Sequence, residues 1–379
     1  MEPFYFAIKC IMKIARLFFR SFIRSTGLTT IILSSIFWLL GCGETNISSP
    51  EATISVWYGT EQYFGNVGHP QAQINILGNI QADSTGITAY YKLNNSQEKH
   101  LVTLGSDLHR LAAQGDFNIE IYRDVLKEGK NTVDLYVARD DEVLTSKEIS
   151  IHYNPKTEWP LPYSINWKEV KDIQDVIQVV DGHWKITPQG IRTQDVYYDR
   201  VLAIGDTFWR NYEVTTTVTF HGYTPPEEGP PTYNVSHAAL ATLWPGHDRD
   251  SLQPNRKWHP LGATAEFRIT DGYKNCRWRI FDGDNFYEEQ KEDQYRTIRE
   301  GVVYGMKHRV QDLSDNSVQY SVKLWEADKD EPKEWDFQAV EISKTKHLGG
   351  SCLLIAHNTD VTFGNVDIIP LKEIATLDD

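Results

Sequence analysis

Read for hydrophobic periodicity, the chain falls into three stretches. The first sets Lys9, Lys13, Arg16, Arg20 and Arg24 against one acid, Glu2, and then runs uncharged and largely apolar through residues 28–40. Those thirteen residues fall short of the about 20 that a membrane-spanning helix needs. A basic flank, a short apolar run and a small residue at its end are the parts of a secretory signal; an uncut signal anchor is the plainer alternative. From residue 52 to 153 the pattern changes to short runs of period two, at 53–58, 72–77, 87–93, 117–122, 132–138 and 149–153. Turn signals divide them: Gly78-Asn79, Asn94-Asn95-Ser96, Glu128-Gly129-Lys130-Asn131 and Asp140-Asp141. About 100 residues so divided predict a β-sandwich.

The third stretch, 163–371, is again strands, longer and richer in tryptophan. Tyr212, Val214, Val218 and Phe220 share one face of a strand, and Glu213, Thr215, Thr217 and Thr219 share the other. In 263–269 the polar face carries Thr264, Glu266 and Arg268; after the turn at 270–275, Cys276, Trp278 and Ile280 alternate with Arg277 and Arg279. If Ile269 opposes Cys276, Arg268 faces Arg277 and Glu266 faces Arg279. The first pairing is unfavourable and the second is worth only a few tenths of a kcal/mol in water. Such a face is either solvated skin or the floor of a groove. Only residues 167–176 leave room for a turn of helix. Between the two β-stretches lies 154–162, with three prolines, which reads as a stiff linker that spaces the domains.

Charge narrows the function. Of 38 basic and 52 acidic residues, five and one precede Cys42, so the chain from Cys42 onward, 338 residues, carries 33 against 51, a net −18. That excess excludes a nucleic-acid footprint and flat docking on anionic lipid. Cys276 and Cys352 sit in apolar strand patterns, where a bridge and two buried free thiols are both open. No Cys/His spacing suggests zinc. HExxH, P-loop and dinucleotide motifs are absent from the sequence.

Three resemblances add to this. Leu39-Leu40-Gly41-Cys42 resembles the lipobox of bacterial lipoproteins. The resemblance implies a signal peptide 1–41, cleavage before Cys42, a lipid (diacylglyceryl with a palmitate-class acyl chain) on that cysteine, and a tether 42–51. Gly43 stands where members kept in the inner membrane tend to carry Asp, which favours the outer membrane or cell surface. Met12 is an alternative start. Gly115-Asp116-Phe117-Asn118-Ile119-Glu120, with Leu126 and Gly129-Lys130-Asn131, resembles late strands of bacterial immunoglobulin-like domains, implying a spacer or interaction module at 52–153. Gly350–Ile355, Val361–Ile368 and the hairpin around Tyr320–Trp325, Glu331-Pro332 and Trp335 resemble concanavalin A-like lectin/glucanase (laminin-G-like) jelly rolls over 163–371. There a final strand returns beside the first; residues 372–379 form a tail. The fold class expected is all-β, an immunoglobulin-like sandwich followed by a larger concanavalin-like one.

Within that fold, Glu326, Asp328 and Glu331 have the letter spacing of the family 16 glucanase motif, where two carboxylates stand about 5 Å apart. Pro332 follows at once, and a hairpin turn already explains the letters. The irregular stretch 243–262 is richer: Trp244, His247, Asp248, Arg249, Asp250, Arg256, Trp258 and His259. Sugars stack their C–H faces on aromatic rings while acids, arginines and histidines take their hydroxyls; buried plugs and solvated charges are the bland alternative. The binding residues expected are Trp244, His247, Asp248, Arg256 and Trp258, with Glu266, Arg268 and Arg279 on the groove floor. The Pro-rich insertion 223–233 walls the same end or is plain surface. His357, in the tight turn His357-Asn358-Thr359-Asp360, is a ligand contact or a satisfied structural histidine. Asp282-Gly283-Asp284 opens like a calcium loop but lacks its later ligands, so no cofactor is expected and any structural calcium has no nameable ligand set.

These readings point to a cell-envelope lipoprotein presenting a carbohydrate-binding domain, its partners a membrane through lipid and an envelope glycan. A glycoside hydrolase or polysaccharide lyase of the same fold is the alternative, needing close carboxylates such as Glu266 and Asp248. A purely structural or adhesion protein is the third.

Overall fold

β-Branched and aromatic residues in alternation build strands, because a pleated strand sends successive side chains to opposite faces. The chain is all-β, with no α-helix among the described residues. The structure, a computed structural model, describes residues 51–83, 86–107, 109–224, 235–247, 254, 262–281, 289–313, 317–341 and 349–372. The signal, the lipobox and all of the tether but Glu51 lie outside them, as do Asp282-Gly283-Asp284 and most of the Pro-rich insertion.

The first sandwich pairs a three-stranded sheet (Ala52–Val56, Gln73–Ala82, Asp116–Tyr122) with a five-stranded one. In the latter, Glu61–Phe64 runs parallel to Glu142–Tyr153, followed by Gly129–Arg139, Thr88–Leu93 and His100–Val102. Ile76, Phe117, Ile119, Val133, Leu135 and Ile149 fill the space between. Glu61–Phe64 and His100–Val102 carry no alternation long enough to show in the sequence.

The second sandwich is a jelly roll of two larger sheets. One runs, in spatial order, Gln178–Asp181, Arg200–Ile204, Ser351–His357, Ser236–Trp244, Ala263–Ile269, Arg277–Phe281, Glu289–Lys291. The other runs Trp184–Thr187, Gly190–Thr193, Thr359–Pro370, Tyr212–Tyr223, Val303–Asp312, Val318–Glu326, Phe337–Glu341, with Tyr163–Ile165 also pairing with Thr359–Pro370. The last strand thus lies beside the first, as the jelly-roll resemblance implies. Tyr212, Val214, Val218 and Phe220 face Ala238, Leu240, Ala265, Phe267, Trp278 and Leu354 across the core. Burying each large side chain of that set contributes about 1.5–3 kcal/mol. The turn of helix within 167–176 is a single 3-10 turn, Ile173–Asp175, capped by the Asp172 carboxylate accepting from Gln174 N. Cys276 and Cys352 are both buried free thiols.

The linker does not space the two sandwiches, which is a correction. Trp159 is buried in the jelly-roll core, and the polar face of the three-stranded sheet is pressed against strand Gln178–Asp181. There Arg110 donates to Asp181 (2.6 Å), Glu120 (2.6 Å) and the Val180 carbonyl (3.1 Å), while Asn118 donates to Val180 O (2.9 Å). Arg200 reaches Asp181 and the Arg110 carbonyl. Asn75, Asn118 and Glu120 are all buried by this second polar surface.

Candidate functional site

The outward face of the seven-stranded sheet carries the chemistry. Alternation sends Val201, Ala203, Ala239, Ala241, Leu353 and Ile355 away from the core into a smaller apolar cluster. At one end of that cluster, polar side chains line up across five strands. His237 stands opposite His357 on one side and Arg268 on the other, and Arg268 stands opposite Arg277. Asp199 immediately precedes Arg200, which opposes Ala356, and so completes the row beyond His357. In the next row Glu266 lies between Ala239 and Arg279. The small Ala239 and Ala241 beside them are fully buried in the apolar cluster.

Local structure fixes the ends of these strands. Asn358 holds a left-handed turn (φ 48) and its amide donates to the Tyr197 carbonyl at 2.8 Å, while its side chain donates to Val235 O at 3.1 Å. One turn therefore ties His357, the start of the His237 strand and the approach to Asp199 together. The Asp199 carboxylate accepts from His357 Nδ1 at 2.7 Å, which leaves Nε2 as the ring's bare nitrogen. The two imidazoles stack, centroids 4.6 Å apart and 10° from parallel. His237 Nε2 lies 3.6 Å from Glu266, and Glu266 accepts from Arg268 Nε at 2.7 Å with Arg279 Nη1 at 3.7 Å.

His237 and His357 are 3% and 4% exposed; Arg268 and Arg279, at 23% and 18% side-chain exposure, are the members nearest water. Burial, with His357 alongside, holds the His237 pKa well below the ordinary imidazole range, so the ring is neutral at neutral pH. Burial pushes Glu266 up, and the Arg268 guanidinium works against that push. Half-buried Tyr198 stands edge-on to His357, 4.6 Å between centroids, with His109 of the first sandwich 5.7 Å away on Tyr198. Among the described residues, His237 Nδ1 and His357 Nε2 have no hydrogen-bond partner. Donor atoms of Asp199, His237 and His357 lie within 4.8 Å of one another.

Against this geometry, the expected residues part ways. Glu266, Arg268 and Arg279 come together in the register read from the sequence. Trp244 does not offer a stacking face: it is fully buried in the outward apolar cluster, edge to His247. His247 is a correction too, since it is buried in the seam between the sandwiches, 3.5 Å from Glu120. Asp248, Arg256 and Trp258 lie outside the described residues, as does the pairing of Asp248 with Glu266. Glu326 closes a strand before a turn and pairs with Arg299 and Lys329, while Glu331 pairs with Lys307 and Lys323. The glucanase-like letters are therefore a hairpin. Sequence reasoning missed Asp199, His237 and Tyr198. One signal was present: two otherwise apolar strands, SHAALATLW and SCLLIAH, each carry a histidine at an end.

No family model matches the sequence, and no curated protein matches it. Among solved structures, the chain is similar to the Caenorhabditis elegans galectin LEC-6, with 11% identity and a TM-score of 0.25 over 43% of this chain and 84% of that one. It is also similar to the exoplasmic/lumenal domain of VIP36. The metal-free form gives 14% identity and a TM-score of 0.32 over 51% of this chain and 84% of that one. The Ca2+-bound form gives 13% and 0.32 over 51% and 82%. Likeness this distant says nothing of ligands.

Proposed function

We propose that this chain binds carbohydrate on the outward face of its seven-stranded sheet and presents that face from the cell envelope. The aligned polar row ending on half-buried Tyr198 carries the reading. Guanidinium, carboxylate and imidazole groups match the paired donors and acceptors of sugar hydroxyls, and a tyrosine ring supplies apolar area at low entropic cost. Arg268 and Arg279 form the entrance, Glu266 the floor. The full chain, screened on immobilised polysaccharides, is expected to retain at least one. Glu266→Gln and Arg268→Ala each weaken that retention by at least tenfold, on the scale of losing one charge-assisted hydrogen bond. Retention unchanged in both variants would overturn the proposal.

The envelope address rests on the lipobox-like Leu39–Cys42. One acyl chain anchors only marginally, so two or more are needed for stable attachment. A fatty-acid label is expected to appear in the membrane-bound chain, and Cys42→Ser releases an unlabelled chain; label retained by that variant would sink the lipid assignment.

A second reading has one observation in its favour. A carboxylate orienting an imidazole with its other nitrogen bare, as in Asp199 and His357, is the base arrangement of acid–base catalysis. Release of new reducing ends during the same screen selects a hydrolase or lyase; binding without release selects a lectin.

A further inference from the structure

We infer that Asp199, His237 and His357 form a binding site for a divalent transition-metal ion. The three are donated by the loop before one strand, the start of a second and the end of a third, and the Asn358 turn holds them together independently of any ligand. His357 Nδ1 lies 2.7 Å from the Asp199 carboxylate, close enough for one ion to replace the shared proton and take both as ligands, while His237 turns its Nε2 toward Glu266 at 3.6 Å. The opposite nitrogen of each is buried without a partner. A carboxylate and an imidazole already face to face, beside a second ring with an uncommitted nitrogen, supply the mixed oxygen and nitrogen donors that transition-metal sites use. A buried ring nitrogen with nothing to bind is otherwise a desolvation cost without return.

Donor type selects the ion. Two imidazoles and one carboxylate suit zinc and its first-row neighbours, whereas calcium and magnesium call for oxygen-only shells. The structural calcium left open by the sequence is therefore not what this cluster fits. With bonds of about 2.0–2.2 Å, donors on one ion lie at most about 4.4 Å apart. The 4.8 Å spread is a few tenths of an ångström wider than that, so an ion must draw the three donors slightly together.

The test uses the full chain, stripped by a chelator and titrated with Zn2+ by equilibrium dialysis with elemental analysis. One ion per chain bound at micromolar or tighter Kd is expected. Cys276→Ser/Cys352→Ser, together with serine at Cys10 and Cys42, leaves that stoichiometry unchanged. His357→Gln and His237→Gln each weaken binding at least a hundredfold, and Asp199→Asn at least tenfold. Melting temperature read with and without Zn2+ guards against misfolding: the unaltered chain gains stability, and folded histidine variants do not. Binding that survives both histidine substitutions, or a Kd in the millimolar range for the unaltered chain, overturns the site. The inference stands apart from glycan binding, since the probe is the metal alone; a stripped chain that still retains polysaccharide leaves the lectin reading intact.

Discussion

His308 shows what a single buried group costs. It sits fully buried in the jelly-roll core region, Nδ1 3.0 Å from the Leu240 carbonyl, with its ring near Tyr320. Burial pushes its pKa down to about 4, and the Leu240 carbonyl works against that push. The unfolded chain takes up a proton near pH 6.5 while the folded one refuses it until about pH 4. Stability from this group is therefore full above pH 6.5 and is lost as pH falls toward 4, by about 3 kcal/mol in total. Urea unfolding at pH 7.5 and 5 is expected to show the decline, and His308→Asn to flatten it; an unchanged slope in that variant would place the sensitivity elsewhere. By contrast, Glu331 keeps its carboxylate charged despite partial burial because Lys307 and Lys323 both donate to it.

At the scale of the element, the hairpin of Ala263–Ile269 and Arg277–Phe281 was legible because one short turn fixes its register. Counting residues across Thr270–Asn275 was enough to set Glu266 opposite Arg279 and Arg268 opposite Arg277. The same counting could not reach Asp199 and His357, which are 158 residues apart and meet only through the strand order of the sheet. Trp244 misled for a different reason. Leu243 takes a left-handed conformation (φ 55), so the strand shifts phase there, Leu243 turns into the main core and Trp244 into the outward cluster. Gly350 permits this shift, since a Cβ at that position would collide with the backbone of Leu243 and Trp244. Alternation predicts faces only as far as the first bulge. The fold class and most strands needed nothing more than that alternation, and so did the facing of His237 and His357; what alternation lacks is the strand order that brings them side by side.

Over the whole molecule, the two sandwiches belong to one compact unit joined by buried charge. Burial alone would lower the Arg110 pKa; Glu120 and Asp181 outweigh it, raise it further and keep the guanidinium charged. Removing one partner of such a group leaves the others buried and unpaired, at a cost of about 3–5 kcal/mol. Arg110→Ala is expected to split a single calorimetric unfolding transition into two, the first sandwich melting earlier; one sharp transition at the original temperature would show that the seam does not couple them. The seam also stands across one end of the polar row, where His109 backs Tyr198 beside His357. A linear polymer laid along that row cannot run past the Asp199 end. On the proposed carbohydrate-binding reading a glycan would then enter by its terminus, so oligosaccharides capped at the chain end should compete poorly while internal length beyond a few residues should hardly matter. The first sandwich would then act as a backstop that counts sugars from the tip of a chain.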